Sequence, residues 1–307
     1  MIAAPRLSLS DGSTIPQLGI GTYKVPADST AALVEGAIAA GYRHIDTAAL
    51  YGNEAEVGEG LRASGVDRDE LFVTTKVWND DQGYDRTLRA FDASAAKLGL
   101  DRVDLYLIHW PIPSADRYVD TWKALLRLQQ EGRATSIGVS NFSVPHLERL
   151  RDETGVLPAV NQVELHPRFP QDDLVAWHAA HGIVTESWAP LARGGLLDEP
   201  VLARLAEKYG KTPAQVVIRW HLDRDLGVFP KSVSLERLRE NGDVFDFTLD
   251  ADDHAQIATL STGGAHGPQP RPRLTRETAA SSDVGRENGA EARPTSGDGP
   301  AQASSRA

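Results

Sequence analysis

Cysteine is absent from this chain of 307 residues, and methionine occurs only once. The lack of cysteine excludes disulfides, thiol nucleophiles and thiolate–metal sites. No apolar run approaches the roughly 20 residues that a membrane helix needs. The start, MIAAPRLSLSDGS, lacks the basic region and apolar core of a signal peptide. We therefore expect a cytoplasmic protein that does not bind membranes.

Positive charge is also scarce, with 32 Lys and Arg against 43 Asp and Glu and a formal net charge of −11. This balance disfavours nucleic acids and anionic membranes as partners, because both attract basic surfaces. An anionic ligand would need a local basic cluster. One such cluster lies near Lys231.

Eight short apolar runs alternate with helical segments. The runs span 17–22, 42–46, 71–77, 104–110, 135–140, 159–165, 183–188 and 226–231, and amphipathic periodicity predicts helices over 84–98 and 118–130. Consecutive apolar residues are typical of parallel strands covered on both faces. Eight such units predict an α/β fold, the (β/α)8 or TIM barrel. An open doubly wound sheet is the alternative, although Gly19-Ile20-Gly21 does not continue into its glycine-rich nucleotide fingerprint.

The two ends of the chain depart from this pattern. The segment RLSLSDGSTIPQL predicts a β-hairpin around Asp11-Gly12, which we expect across the bottom of the barrel. Residues 263–307 are rich in Gly, Ala, Ser, Pro and Arg, and cannot bury enough apolar surface to offset the entropy lost on ordering. The prediction is a barrel domain over 1–262 and a disordered tail over 263–307.

Four polar residues, Asp46, Tyr51, Lys76 and His109, stand at or just beyond the ends of predicted strands. The carboxyl ends of barrel strands converge on one mouth, so these side chains become neighbours. A lysine ammonium can lower the pKa of a tyrosine, an aspartate can hold the lysine, and a neutral imidazole can orient a substrate oxygen. This set suits protonation of an oxygen as negative charge develops on it, as in carbonyl reduction. Taken singly, each could instead be a helix cap, an interface aromatic, a solvated rim lysine or a core histidine.

Five segments give a more specific indication. They are GYRHIDTAALYGNEAEVG (41–58), TTKVWN ending at Asn79, LIHWP (107–111), GVSNF (138–142) and PKSVSLERLREN (230–241). In their order and spacing they resemble the aldo-keto reductases over about residues 5–262. The resemblance lies closest to the bacterial branch typified by 2,5-diketo-D-gluconate reductases.

The resemblance implies NADPH-dependent reduction of an aldehyde, ketone, diketone or keto-sugar to an alcohol by hydride transfer. Tyr51 would be the general acid, with Lys76 and Asp46 lowering its pKa and His109 orienting the carbonyl. The implied cofactor-binding residues are Ser140, Asn141 and Gln162 at the nicotinamide carboxamide, Trp188 stacked on the ring, Ala189, Pro190 and Leu191 in a clasping loop, and Lys231, Ser232, Val233, Arg237, Glu240 and Asn241 at the 2′-phosphate and adenine. The substrate-side candidates are Tyr23, Leu50, Trp78, Asn79 and Trp110.

Some positions leave alternatives open. Trp188 could fill the core, and the basic cluster could be a solvated face. Ser234 stands where close bacterial relatives often carry arginine, and the segment STGGAHGPQPRPRLTRE lacks the aromatic residues that the family places over the substrate. His178 and His181 are expected to be exposed histidines on the surface. We expect no metal site.

Two other functions are compatible with such a barrel. One is a regulatory subunit that binds NADP(H) and senses its redox state with little turnover. The other is an isomerase or aldolase acting on phosphorylated sugars, which would leave the pairing of Tyr51 with Lys76 without a purpose. Since proteins of the resembling kind are often monomers, we expect a monomer.

Overall fold

The computed structural model describes residues 2 and 4–263 of the chain. Two short strands, β1 (Arg6–Ser8) and β2 (Thr14–Pro16), pair antiparallel at the start. The eight that follow form one parallel sheet: β3 (Ile20–Gly21), β4 (His44–Asp46), β5 (Phe72–Val77), β6 (Val103–Ile108), β7 (Ala134–Ser140), β8 (Val160–Glu164), β9 (Val184–Trp188) and β10 (Gly227–Val228).

One helix follows each strand from β3 to β8, and two follow each of β9 and β10. The helices are α1 (Ala27–Ala40), α2 (Glu54–Ala63), α3 (Tyr84–Leu98), α4 (Tyr118–Gln130), α5 (Val144–Thr154), α6 (Asp172–Ala180), α7 (Pro200–Tyr209), α8 (Pro213–Leu222), α9 (Leu235–Gly242) and α10 (Ala251–Ala258). The helices predicted over 84–98 and 118–130 have the predicted bounds. Glycines with positive φ end several of them, as Gly41 (φ 111°) does after α1, because such backbone is strained for residues with a Cβ.

The sheet is nearly closed by the meeting of its first and last strands. Leu18 and Val228 form a parallel bridge, with Gly19 N donating to Val228 O at 2.9 Å and Val228 N to Gln17 O at 2.8 Å. Consecutive strands are neighbours throughout, in the order β3 to β10. The predicted barrel is therefore confirmed, and most of its strands are shorter than the apolar runs that predicted them.

Strand β6 explains why the runs are apolar on both faces. Leu105 and Leu107 belong to an inner cluster that also contains Phe72 and Val160, whereas Tyr106 packs on Phe91 of α3, with ring centroids 5.0 Å apart. Alternate side chains thus fill the barrel and contact the surrounding helices, so neither face meets water.

The hairpin lies at the amino ends of the strands. Its Leu9 and Ile15 pack in the inner cluster, and the hydroxyls of Ser13 and Ser136, near the start of β7, are 2.8 Å apart. The predicted hairpin across the bottom is confirmed. Of the tail predicted over 263–307, only residue 263 is among the described residues, so its predicted disorder lies outside them. The segment STGGAHGPQPRPRLTRE lies outside them from residue 264 onward.

Candidate active site

A buried ion pair lies at the carboxyl ends of β4 and β5. Lys76 Nζ donates to Asp46 Oδ1 and Oδ2, each at 2.7 Å, and to the carbonyl oxygen of Thr47 at 2.9 Å. The Lys76 side chain is 0% exposed and that of Asp46 is 4% exposed. A charge this far from water is tolerated only when it is paired, as it is here.

Tyr51 and His109 lie beside this pair. A short 3-10 turn, Ala49–Tyr51, follows β4 and carries Tyr51, whose ring centroid lies 5.3 Å from Lys76 Nζ. His109 directly follows β6, and its ring centroid is 5.9 Å from that of Tyr51. The four polar residues singled out in the sequence are thus brought together at one end of the barrel.

The pKa of Tyr51 is raised well above its usual 10, first by burial and then by the carboxylate of Asp46. The direction is opposite to the lowering expected from the sequence. The physical reason is that the hydrogen bonds of the Lys76 ammonium are directed at Asp46 and Thr47. Tyr51 therefore holds its proton at neutral pH and can act as an acid.

His109 is a neutral imidazole at neutral pH. Burial, and then the charge of Lys76, lower its pKa well below 6.5. Its Nδ1 has no hydrogen-bond partner within the described part of the chain. A buried ring nitrogen without a partner is costly, which is typical of a group that a ligand will contact.

The ends of β7, β8 and β9 carry a second connected group. Asn141, with φ 67°, donates from Nδ2 to the carbonyl oxygen of His109 at 3.0 Å and to Ser140 Oγ at 2.9 Å. Its Oδ1 accepts from Trp188 Nε1 at 2.8 Å, and Ser140 Oγ donates to Gln162 O at 2.8 Å. The four predicted nicotinamide-side residues therefore lie together, and Asn141 ties them to the end of β6.

Gln162 joins the two groups. Its Nε2 donates to Asp46 Oδ2 at 2.9 Å and to Glu186 Oε2 at 3.1 Å. Sequence inspection missed Glu186. Two signals could have found it: a glutamate stands inside a buried strand, and it lies two residues before Trp188, on the same face of β9.

The remaining cofactor candidates lie in two loops. Ala189 has φ 50° and precedes Pro190, Leu191 and a 3-10 turn over Ala192–Gly194. After β10, Lys231 and Val233 are exposed and Ser232 is buried. Ser234 caps α9, where its Oγ accepts from the backbone N–H of Arg237 at 3.4 Å; Arg237 is exposed, Glu240 is half-buried and Asn241 is buried.

Aromatic side chains flank the acid and the imidazole. Tyr23 is 45% exposed with its ring 5.0 Å from that of Tyr51, and Trp78 lies edge-on to His109 at 5.0 Å. Trp110 is buried next to His109, and Leu50 lies in the 3-10 turn. The side-chain amide of Asn79 and the Nε1 of Trp78 are buried without a partner in the described residues.

The expectation that His178 lies exposed on the surface is also wrong. His178 is fully buried, with Nε2 2.9 Å from Asn161 Nδ2 and Nδ1 2.8 Å from Thr185 Oγ1. Helix α6 presents it to the strands, and polar partners on β8 and β9 satisfy it. His181 is half-buried and stacks on Trp177 with centroids 3.8 Å apart.

Comparison with known proteins agrees with this geometry. The family model described as "Aldo/keto reductase family" matches residues 16–262. The chain belongs to the aldo/keto reductase family. The resemblance inferred from the five segments is thereby confirmed, and with it the expectation that this aldo-keto reductase is an oxidoreductase.

Relatives and solved structures match over nearly their whole length. The chain is 55% identical to an aldo-keto reductase of Mycolicibacterium smegmatis, covering 87% of this chain and 98% of that protein. It is 53% identical to methylglyoxal reductase DkgA of Salmonella typhimurium, covering 86% and 96%. A crystal structure of a Gox0644 variant in complex with NADPH is 51% identical, with a TM-score of 0.85 and coverage of 89% and 100%.

Helices able to span a membrane were sought among the described residues. None of the helices there is both long and apolar enough to cross a bilayer.

Proposed function

We propose that this aldo-keto reductase reduces a small aldehyde or ketone to the alcohol with NADPH, and that Tyr51 donates the proton. The observation that carries the proposal is the buried pair of Lys76 and Asp46 beneath a tyrosine that keeps its proton. The NADPH-bound Gox0644 variant and the methylglyoxal reductase among the relatives support it.

Tyr51 can act as the general acid because it is protonated throughout the physiological range and lies beside the ammonium of Lys76. It transfers its proton when the carbonyl oxygen acquires negative charge, and a phenolate remains. The ammonium of Lys76, 5.3 Å from the ring centroid, then stabilises that phenolate electrostatically. Asp46 holds the ammonium in place and balances its charge while Tyr51 is neutral.

His109 orients the substrate. As a neutral imidazole it can donate a hydrogen bond to the carbonyl oxygen without supplying a competing acidic proton. Trp78 lies against its ring and Asn141 binds its backbone carbonyl, so the imidazole is held from two sides.

The residues on β7 to β9 fit a nicotinamide. NADPH, when bound, supplies the hydride that adds to the carbonyl carbon. Both N–H groups of the Gln162 side chain donate hydrogen bonds to Asp46 and Glu186. The side-chain amide oxygen is therefore left to accept a hydrogen bond from a carboxamide N–H. Trp188 is half-buried and held at its Nε1, so its ring offers a fixed face for stacking. Ala189, Pro190 and Leu191 would clasp the dinucleotide next to it.

The cluster after β10 fits a phosphate. Arg237 and Lys231 are exposed cations close to the start of α9, where backbone N–H groups favour an anion. A 2′-phosphate distinguishes NADPH from NADH, so these residues would select NADPH. Ser232, Val233, Glu240 and Asn241 would contact the adjoining ribose and adenine.

The substrate site would be small and largely apolar. Tyr23, Leu50, Trp78 and Trp110 would form its walls, and the unpartnered amide of Asn79 would supply one polar anchor. This suits a compact oxo-aldehyde such as methylglyoxal, on which the named relative acts.

Purified protein should consume NADPH in the presence of methylglyoxal. The loss of NADPH absorbance measures this consumption. Tyr51→Phe should lower kcat at least about 100-fold, the usual scale of general acid catalysis, with NADPH affinity nearly unchanged. NADPH binding without turnover of any aldehyde, ketone or keto-sugar by the wild type would refute the proposal and favour the sensor function.

We also propose that the protein works as a cytoplasmic monomer on free small molecules. The net charge of −11 and the absence of cysteine support this assignment. The barrel domain is assigned to 1–262 and the tail to 263–307. Light scattering coupled to size exclusion tests the monomer, with a mass near 33.2 kDa expected.

A further inference from the structure

A second carboxyl group, that of Glu186, lies inside the barrel. It stands in the middle of β9 with 0% of its side chain exposed. Its Oε2 accepts from Gln162 Nε2 at 3.1 Å, while its Oε1 has no hydrogen-bond partner among the described residues. One titratable neighbour is His44, whose Nε2 is 4.0 Å from Oε1.

Glu186 and Asp46 share one donor. The side-chain amide of Gln162 has two N–H groups, and they point to Asp46 Oδ2 at 2.9 Å and Glu186 Oε2 at 3.1 Å. The two carboxyl groups together therefore determine which way this amide faces. Its oxygen is the atom assigned above to the nicotinamide carboxamide, so its orientation bears on cofactor binding.

We propose that Glu186 is a positioning residue of the reductase: its buried carboxyl group holds the side-chain amide of Gln162 opposite Asp46 and sets the local charge beside Lys76. The inference rests on the proposed function, and it adds a residue that touches neither the substrate nor the cofactor. Its action would pass through Gln162 to the cofactor and through the local charge to Tyr51.

The surroundings of Glu186 favour its uncharged form. Glu186 faces His44 of β4. Burial lowers the pKa of His44 to about 3, so its ring carries no positive charge at neutral pH. The carboxylate of Asp46, on β4, forms an ion pair with Lys76 of β5. On β10, Gly227 packs its backbone against the Glu186 side chain, where a Cβ would lie 2.9 Å from Cγ.

One ammonium among these groups cannot balance two carboxylates. Burial first, and then the charge of Asp46, raise the pKa of Glu186 to about 8, while Gln162 and Lys76 act in the opposite direction. Glu186 is therefore neutral at pH 7 and becomes charged as the pH rises through about 8. That added charge would oppose the phenolate that Tyr51 leaves behind.

The test is the pH profile of kcat/KM for methylglyoxal with NADPH, between about pH 6 and pH 10, with enzyme-free rates subtracted. In the wild type, kcat/KM should fall about tenfold on the alkaline side with a midpoint near 8, as expected for a charge acting a few ångströms away in a poorly screened site. Glu186→Gln keeps the shape and the hydrogen-bond acceptor but cannot ionise. It should keep its activity at pH 7 within about threefold, and its alkaline fall should move up by at least one pH unit.

Glu54→Gln is a matched control. Glu54 is equally buried, but it binds Thr75 Oγ1 at 2.7 Å and Ser94 Oγ at 3.2 Å, away from Gln162. Its variant should keep the wild-type midpoint. A merely structural role for Glu186 would lower the active fraction at every pH and leave the midpoint in place.

Glu186→Met removes both the ionisable group and the hydrogen-bond acceptor. It should weaken NADPH binding about five- to tenfold, measured by quenching of tryptophan fluorescence, because Gln162 loses one of its two anchors. Unchanged NADPH affinity in this variant would contradict the positioning role.

The other outcomes are distinguishable. An alkaline fall near pH 8 that is the same in the wild type and Glu186→Gln would overturn the inference and leave the proposed function intact. A wild type whose profile stays flat to about pH 9.5 would overturn it without any variant. A wild type with no turnover at any pH would overturn the proposed function and this inference with it.

Discussion

The ion pair of Lys76 and Asp46 gives a prediction whose size follows from its burial. Lys76→Met leaves the Asp46 carboxylate, 4% exposed, with Gln162 Nε2 as its one remaining side-chain donor among the described residues. Removing one partner of a buried pair typically costs about 3 to 5 kcal/mol, because the other charge stays in a medium of low dielectric. Folded domains typically have a free energy of unfolding of about 5 to 15 kcal/mol, so the variant should still fold but be much less stable.

The assay is guanidinium chloride unfolding at pH 7, followed by the fluorescence of the six tryptophans. The double variant Asp46→Asn with Lys76→Met removes both charges. It should be destabilised by less than the sum of the two single variants, with a coupling of about 2 kcal/mol or more. Such a cycle separates the pair from the effects of each side chain alone.

A surface pair supplies the control. Arg127 Nε lies 2.7 Å from Glu131 Oε1, as close as the buried pair, but the side chains are 55% and 35% exposed. Arg127→Met should cost less than about 1 kcal/mol because water and salt screen the attraction. If Lys76→Met cost no more than Arg127→Met, burial would not govern this ion pair and the reasoning would be refuted.

Two further predictions concern cofactor affinity and the stability of the fold at low pH. Arg237→Ala should raise the Kd for NADPH about 10- to 100-fold and the Kd for NADH less than about twofold. Arg239→Ala, in the same helix, is the control. Equal losses of affinity for the two cofactors in Arg237→Ala would contradict the 2′-phosphate assignment. Burial lowers the pKa of His44 to about 3 and those of His178 and His221 to about 4. Their contribution to stability is present above about pH 6.5, where these three histidines are uncharged in the unfolded chain as well. It is lost as the pH falls towards 4, by about 4 kcal/mol per pH unit, because unfolding then takes up three protons. Unfolding free energies that match at pH 7 and pH 5 would exclude this.

The position of the proposed catalytic residues followed from the sequence because the barrel repeats one local strand–helix unit eight times. Apolar runs separated by amphipathic segments predict parallel strands, and parallel strands bring their carboxyl ends to one mouth. Asp46, Lys76 and His109 could therefore be grouped without any knowledge of their contacts.

The charge states were decided only by the tertiary structure. The pKa of Tyr51 depends on how far its hydroxyl is from water and on where the hydrogen bonds of Lys76 point, and neither is encoded in the spacing of residues. For the same reason, His178 was predicted to lie on the surface: its partners Asn161 and Thr185 come from strands on either side of its helix in the sequence.

The barrel, the family and the cluster of polar residues at strand ends could be predicted from the chain, because they follow from periodicity and from short motifs. The charge of each group, its hydrogen-bond partners and the contact between Glu186 and Gln162 became visible only in the folded protein. The physical reason is that desolvation and pairing act over a few ångströms in space, between residues that are here 24 to 116 positions apart in the chain.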